Sequence, residues 1–203
     1  MINYSKAFSR PMATAALLAS YADDAHRFTD KSVLLTGDPA TLATKNGALC
    51  FLNSLRLLPR MVSHVDVVLP SLSNDLLCRA KALAVAIQFG QQVNFLDHVV
   101  GWDRYDAILN VGTSVRKDLP WTVINSNGWV ARVSSGGQSI PGDSDVYNPV
   151  GALGAAAFGV ADVFKRLIKL RSNRAELFNG LQFSFYDYST SPVAIGPDLP
   201  KQL

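Results

Sequence analysis

The chain has 203 residues, of which 48% are hydrophobic and 17% charged, and its formal net charge is +3. That length suits one α/β domain with a proper core, or one domain with a tail. The weak charge, with no Lys/Arg run and no basic stripe interleaved with aromatics, argues against a nucleic-acid binder. Charged residues fall below the roughly 25% of average soluble domains, a bias produced either by a partner-covered surface or by a large core.

Residues 1–30 read as a helical N-terminal arm, Ala/Leu-rich over 12–21 and followed by Asp23 and Asp24. A short apolar strand, Val33-Leu34-Leu35, leads to Gly37. Residues 39–58 then read as one helix carrying Leu42, Leu49, Leu52, Leu55 and Leu57 and stopped by Pro59, which lacks the N–H to continue it. Four further apolar strands follow, over 65–69, 93–96, 106–111 and 121–124, with an amphipathic helix over 74–89 closed by Gly90. Residues 129–133 alternate and are expected as an added edge strand. Apolar strands separated by helices predict a Rossmann-like, doubly wound, mostly parallel sheet with helices on both faces.

A loop rich in Gly, Ser, Pro and Asp over 136–148 precedes the clearest helix, 149–169, with Asn148 as N-cap and Pro149 at the first helical position. Val150, Leu153, Ala157, Val160, Phe164 and Leu167 form an apolar stripe expected to face the sheet. The small face, with Gly151, Ala155 and Gly159, is the candidate interface. Residues 181–188 read as an aromatic strand-like piece, and 191–203, with Pro192, Pro197 and Pro200, as a linker. The domains expected are thus an arm over 1–30, a Rossmann-like domain over 31–170 and a strand-plus-linker segment over 171–203.

Five stretches belong together: Tyr4-Ser5-Lys6, the strand and glycine at 33–37, Ser73-Asn74 with Arg79 and Lys81 downstream, the strand and turn at 106–114, and the helix opening Asn148-Pro149. In this order they resemble the ThiF/MoeB/HesA family of ubiquitin-activating-enzyme-like adenylyltransferases. The departures carry more information. A dinucleotide fingerprint needs Gly-x-Gly-x-x-Gly, and only Gly37 is present: Asp38 follows it, while Pro39 and Leu42 stand at the second and third glycine positions. Pro39 has no N–H for a phosphate, and Leu42 crowds the close approach. The ribose-binding acid is replaced by Leu69-Pro70-Ser71, and Thr113 stands where the family has a magnesium-binding aspartate.

The resemblance therefore implies an inactive adenylation domain with no cofactor of its own. It would dock on an active ThiF-type domain, on the same polypeptide, on a separate chain or in a pseudo-symmetric dimer. It would support activation of a ubiquitin-like protein, and indirectly its conjugating enzyme, as in the N-terminal half of bacterial proteins of this kind, some tied to antiphage defence. In the family an arginine of the arm reaches the partner's ATP; Lys6 holds that position here and Arg10 is the alternative clamp. Two other readings stay open: a Rossmann enzyme binding a nucleotide through a non-standard loop, and a stand-alone interaction module.

Other residues invite simpler readings. Cys50 and Cys78 lie in predicted helices and are expected as core thiols in a reducing cytoplasm. His26, His64 and His98 show no ligand spacing, so no metal is expected. Trp102, Trp121 and Trp129 fit either an interface or core packing. The most apolar long stretch, 150–160, is too short to span a bilayer.

Overall fold

The apolar runs become the parallel heart of a sheet. A computed structural model of the chain describes residues 9–70, 74–87, 92–142, 146–171, 176–191 and 196–197. Strands β1 (Ser32–Gly37), β2 (His64–Val68), β3 (Gln92–Leu96), β4 (Ala107–Val111) and β5 (Trp121–Asn127) are parallel; β6 (Val130–Ser134) pairs antiparallel with β5, and β7 (Leu181–Ser184) pairs antiparallel with β6. They form a 7-stranded sheet in the order β3-β2-β1-β4-β5-β6-β7. This is a Rossmann-like α/β fold. Val33, Leu34 and Leu35 are all buried, as are Ala107, Ile108 and Leu109, which is why these strands read as continuous apolar runs.

The helices are α1 (Ser9–Leu18), α2 (Pro39–Leu42), α3 (Lys45–Leu57), α4 (Asn74–Ala86) and α5 (Pro149–Leu167). Their buried residues share one apolar cluster with Val33, Leu35, Leu109 and Ile124. The opposite face, with Leu34, Ile108 and Val123, is covered by Tyr105, Ile140 and the half-buried Trp102 and Leu119 from the connecting segments. Helices were expected on both faces. The connections over 97–106 and 112–120 are shorter than the roughly dozen residues that a helical crossover takes, so coil and one 3-10 turn do this work.

Three local expectations are corrected. The predicted helix 39–58 breaks after α2. Thr44 turns extended and caps α3, its Oγ1 accepting the N–H of Gly47 at 2.9 Å. The alternating run 129–133 is not an edge strand, because β7 pairs on its outer side. Gly128, at φ 57, makes the tight turn from β5 into β6.

The third correction concerns α5. Gly151, Ala155 and Gly159 are buried, whereas Leu153 of the presumed core stripe is 46% exposed. The small residues let the helix lie close on the sheet: a Cβ at Gly159 would come 2.6 Å from Ile124 and 3.0 Å from Leu109. Val160 and Leu167 are buried as expected. These three small residues are therefore used inside the domain and are not open to a partner.

At the amino ends of the strands, the segment after α1 is fastened to the end of α5. Asp24 meets Lys169 at 2.8 Å and Lys31 at 3.6 Å, and Lys31 also meets Asp106 at 3.2 Å. Phe28 is buried and packs edge-on against Phe164, with ring centroids 5.4 Å apart. No described helix is long and apolar enough to cross a membrane.

Candidate functional site

The order in which strands are added switches sides between β1 and β4, which are hydrogen-bonded parallel neighbours. In open α/β sheets the crevice outside the carboxyl ends of such strands receives ligands. Here two turns face one another across it, Gly37-Asp38-Pro39 after β1 and Gly112-Thr113-Ser114 after β4.

Asp38 joins them. Its backbone N–H donates to the Val111 carbonyl at 2.9 Å. One carboxylate oxygen accepts the backbone N–H groups of Thr113 at 2.7 Å and Ser114 at 2.8 Å. The other accepts Asn110 Nδ2 at 3.2 Å. Burial pushes the acid's pKa up. The two backbone donors, with the Ser114 and Asn110 side chains, outweigh it and hold the carboxyl below its ordinary value. A Cβ at Gly112 would overlap this carboxylate, so glycine there makes the room that Asp38 occupies.

The rest of the fingerprint region is closed in the same way. A Cβ at Gly37 would lie 2.7 Å from Leu42 Cδ1, so the buried Leu42 side chain rests directly on the glycine. Pro39 opens α2, which ends after four residues. The long helix begins only at Lys45, where Thr44 already satisfies one of its free donors. A helix dipole aimed at a phosphate, the usual companion of this turn, is therefore absent from the described residues here.

The four residues Gly37, Asp38, Leu42 and Thr113 are thus brought together, with Pro39 leading away into α2. Thr113 contributes mainly its backbone: its hydroxyl is 3.5 Å from Asp38, against 2.7 Å for its N–H. The sequence reading missed Asn110 and Ser114, and treated Asp38 as part of a broken loop when it is the occupant of the crevice. An acid directly after the strand glycine, with an asparagine one residue before the end of β4, was the available signal. Asn125 extends the cluster, its amide nitrogen donating to the carbonyls of Gly112 at 3.1 Å and Pro141 at 2.7 Å.

Among the described residues, the acid of the second strand does not substitute for the missing ribose ligand. Asp66 of β2 is buried and already holds Arg104 at 2.7 Å, the Tyr105 hydroxyl at 2.9 Å and Asn94 at 3.0 Å. Burial, reinforced by Asp66, pushes the Tyr105 hydroxyl up to about 12. This cluster pins the 97–106 connection to the sheet.

Lys6 lies outside the described residues. Arg10 is exposed on α1. Arg79 sits on α4 beside Asp75 at 3.5 Å, at the rim of a cleft of about 460 Å³ also lined by Leu42, Lys45 and Tyr147. Cys50 is buried as expected, but Cys78 is exposed on the outer side of α4. Trp121 is buried, 5.7 Å from the Trp102 ring. Trp129 packs by Tyr186 and donates to the Pro197 carbonyl at 2.8 Å, so part of the proline-rich segment lies against the domain. Residues 192–195 and 198–203 of that expected linker lie outside the described residues. No protein-family model matches the chain, and no curated protein matches it.

Proposed function

We propose that this chain is a non-catalytic ThiF-like domain that docks on an active adenylation domain and supports ATP-dependent activation of a ubiquitin-like protein. The observation that carries the reading is the closure of the ligand crevice by Asp38. Adenylation needs donors free to hold phosphates and an acid to hold the metal that neutralises them. Here the N–H groups of Thr113 and Ser114 are taken by an internal carboxylate, and Leu42 fills the approach to Gly37. A bound triphosphate would have to displace a charge-assisted contact and would meet a negative side chain. The ThiF resemblance of the arm and of the Asn148-Pro149 helix supplies the docking role, with a bacterial conjugation system, including antiphage ones, as its setting.

The test is ATP–pyrophosphate exchange with a ThiF-type adenylation domain, fused to this chain or encoded beside it. The chain alone gives no exchange, and its addition raises the exchange rate of the partner with which it co-elutes. Exchange by the chain alone, or a partner that neither binds nor responds, would overturn the reading.

A further inference from the structure

Two successive backbone N–H groups, those of Thr113 and Ser114, converge on one oxygen of Asp38 at 2.7 and 2.8 Å. Successive amides aimed at one point form an anion-binding concavity. This one lies just beyond the end of β4 and beside β1, where α/β sheets receive ligands. Asn110 Nδ2, at 3.2 Å from the second oxygen, adds a third donor. All three donors are intact and correctly aimed. What differs from a ligand site is that the anion comes from the chain itself.

Asp38 reaches this position without strain. Its backbone is extended, with φ −74 and ψ 133, a conformation any residue before proline adopts. The side chain is only partly buried, and Thr113 and Ser114 are exposed, so the nest opens to solvent once the carboxylate leaves.

We infer that the crevice is latched and not erased: the Gly112-Thr113-Ser114 turn is an oxyanion nest, and the Asp38 carboxylate is its built-in competitor. The ligand class is an oxyanion, bound by the two backbone N–H groups and the Asn110 amide. A tethered carboxylate outcompetes a dilute free anion because its effective concentration is set by a few bonds. This inference rests on the same closed crevice as the docking role, but it requires no partner and fails separately from it.

The test is a titration of inorganic phosphate followed at the Thr113 and Ser114 amide resonances, in wild type, Asp38→Ala and Asp38→Asn, with sodium chloride at matched ionic strength as the control. In Asp38→Ala both resonances move saturably, with an apparent affinity about tenfold or more above that of wild type. Asp38→Asn keeps the side-chain shape without its charge. Its two resonances also respond, at phosphate concentrations that leave wild type unmoved, and this variant carries the test if Asp38→Ala does not fold. Folded variants whose two amides ignore phosphate would overturn the latch, as would chloride shifts of equal size; the docking role would then still stand.

Discussion

The side-chain oxygen of Asn46, in the first turn of α3, accepts the backbone N–H of Asn148 at 3.0 Å, while its amide nitrogen donates to the Val146 carbonyl at 2.8 Å. Asn148 in turn caps α5, its side-chain oxygen accepting the N–H of Val150 at 2.9 Å. One buried asparagine therefore sets where the longest helix begins relative to α3. Asn46→Ala removes both contacts and takes the side-chain acceptor away from the Asn148 N–H, at a cost of about 1–3 kcal/mol. Urea unfolding at constant m-value measures it; a loss within about 0.5 kcal/mol would mean that water replaces Asn46 freely.

Gly159 makes the same point by packing. An alanine gains roughly 1 kcal/mol of helix propensity, but its Cβ would sit 2.6 Å from Ile124 Cγ2. Overpacking of this kind costs about 1–3 kcal/mol, so the net change is destabilising. In a double-mutant cycle with Ile124→Ala the two losses are less than additive, because shortening Ile124 frees the volume the new methyl needs. Strict additivity would show that the helix moves away from the sheet instead.

Asp162 is wholly buried, bonded to Lys165 Nζ at 2.8 Å and to the Phe178 N–H at 2.8 Å. Asp162→Ala strands that N–H and releases the segment leading to β7, at a cost of about 2–3 kcal/mol. Hydrogen exchange at the Phe178 amide reports it directly: protection falls in the variant by more than the global stability change accounts for. Equal losses would place the effect in the whole fold and not in this tether.

The latch has a pH signature. The folded-state pKa of Asp38 lies below its unfolded value, so the folded form binds the proton later as pH falls. Its contribution is fully present above the ordinary carboxylate value of about 3.9 and is lost as pH drops through the lower folded value. The stability gap between wild type and Asp38→Asn therefore stays level from neutral pH to about pH 4 and narrows below it. A gap that already closes between pH 7 and 5 would mean that Asp38 is not held as a carboxylate by Thr113 and Ser114.

Much of the fold was legible because continuous apolar runs such as Val33-Leu34-Leu35 have few alternatives to a buried parallel strand. The start of α5 was legible because Asn148 and Pro149 act locally, through one cap and one fixed φ. The face of α5 was not. Leu153 looked like core, but close helix–sheet contact selects Gly151, Ala155 and Gly159, and a hydrophobic pattern does not report distance of approach. The candidate site was half legible. The missing glycines announced that phosphate chemistry was disfavoured at Gly37. That Asp38 would cross to residues 113 and 114 was hidden, since a side-chain contact over some seventy-five positions leaves no periodic trace.

Calorimetric titration of the wild-type chain with ATP and magnesium reads directly whether the crevice is closed to nucleotide. A crevice held shut by Asp38 and Leu42 gives no binding heat above dilution at millimolar nucleotide. Saturable binding with a micromolar dissociation constant would show that the crevice opens to nucleotide and that Asp38 and Leu42 do not close it.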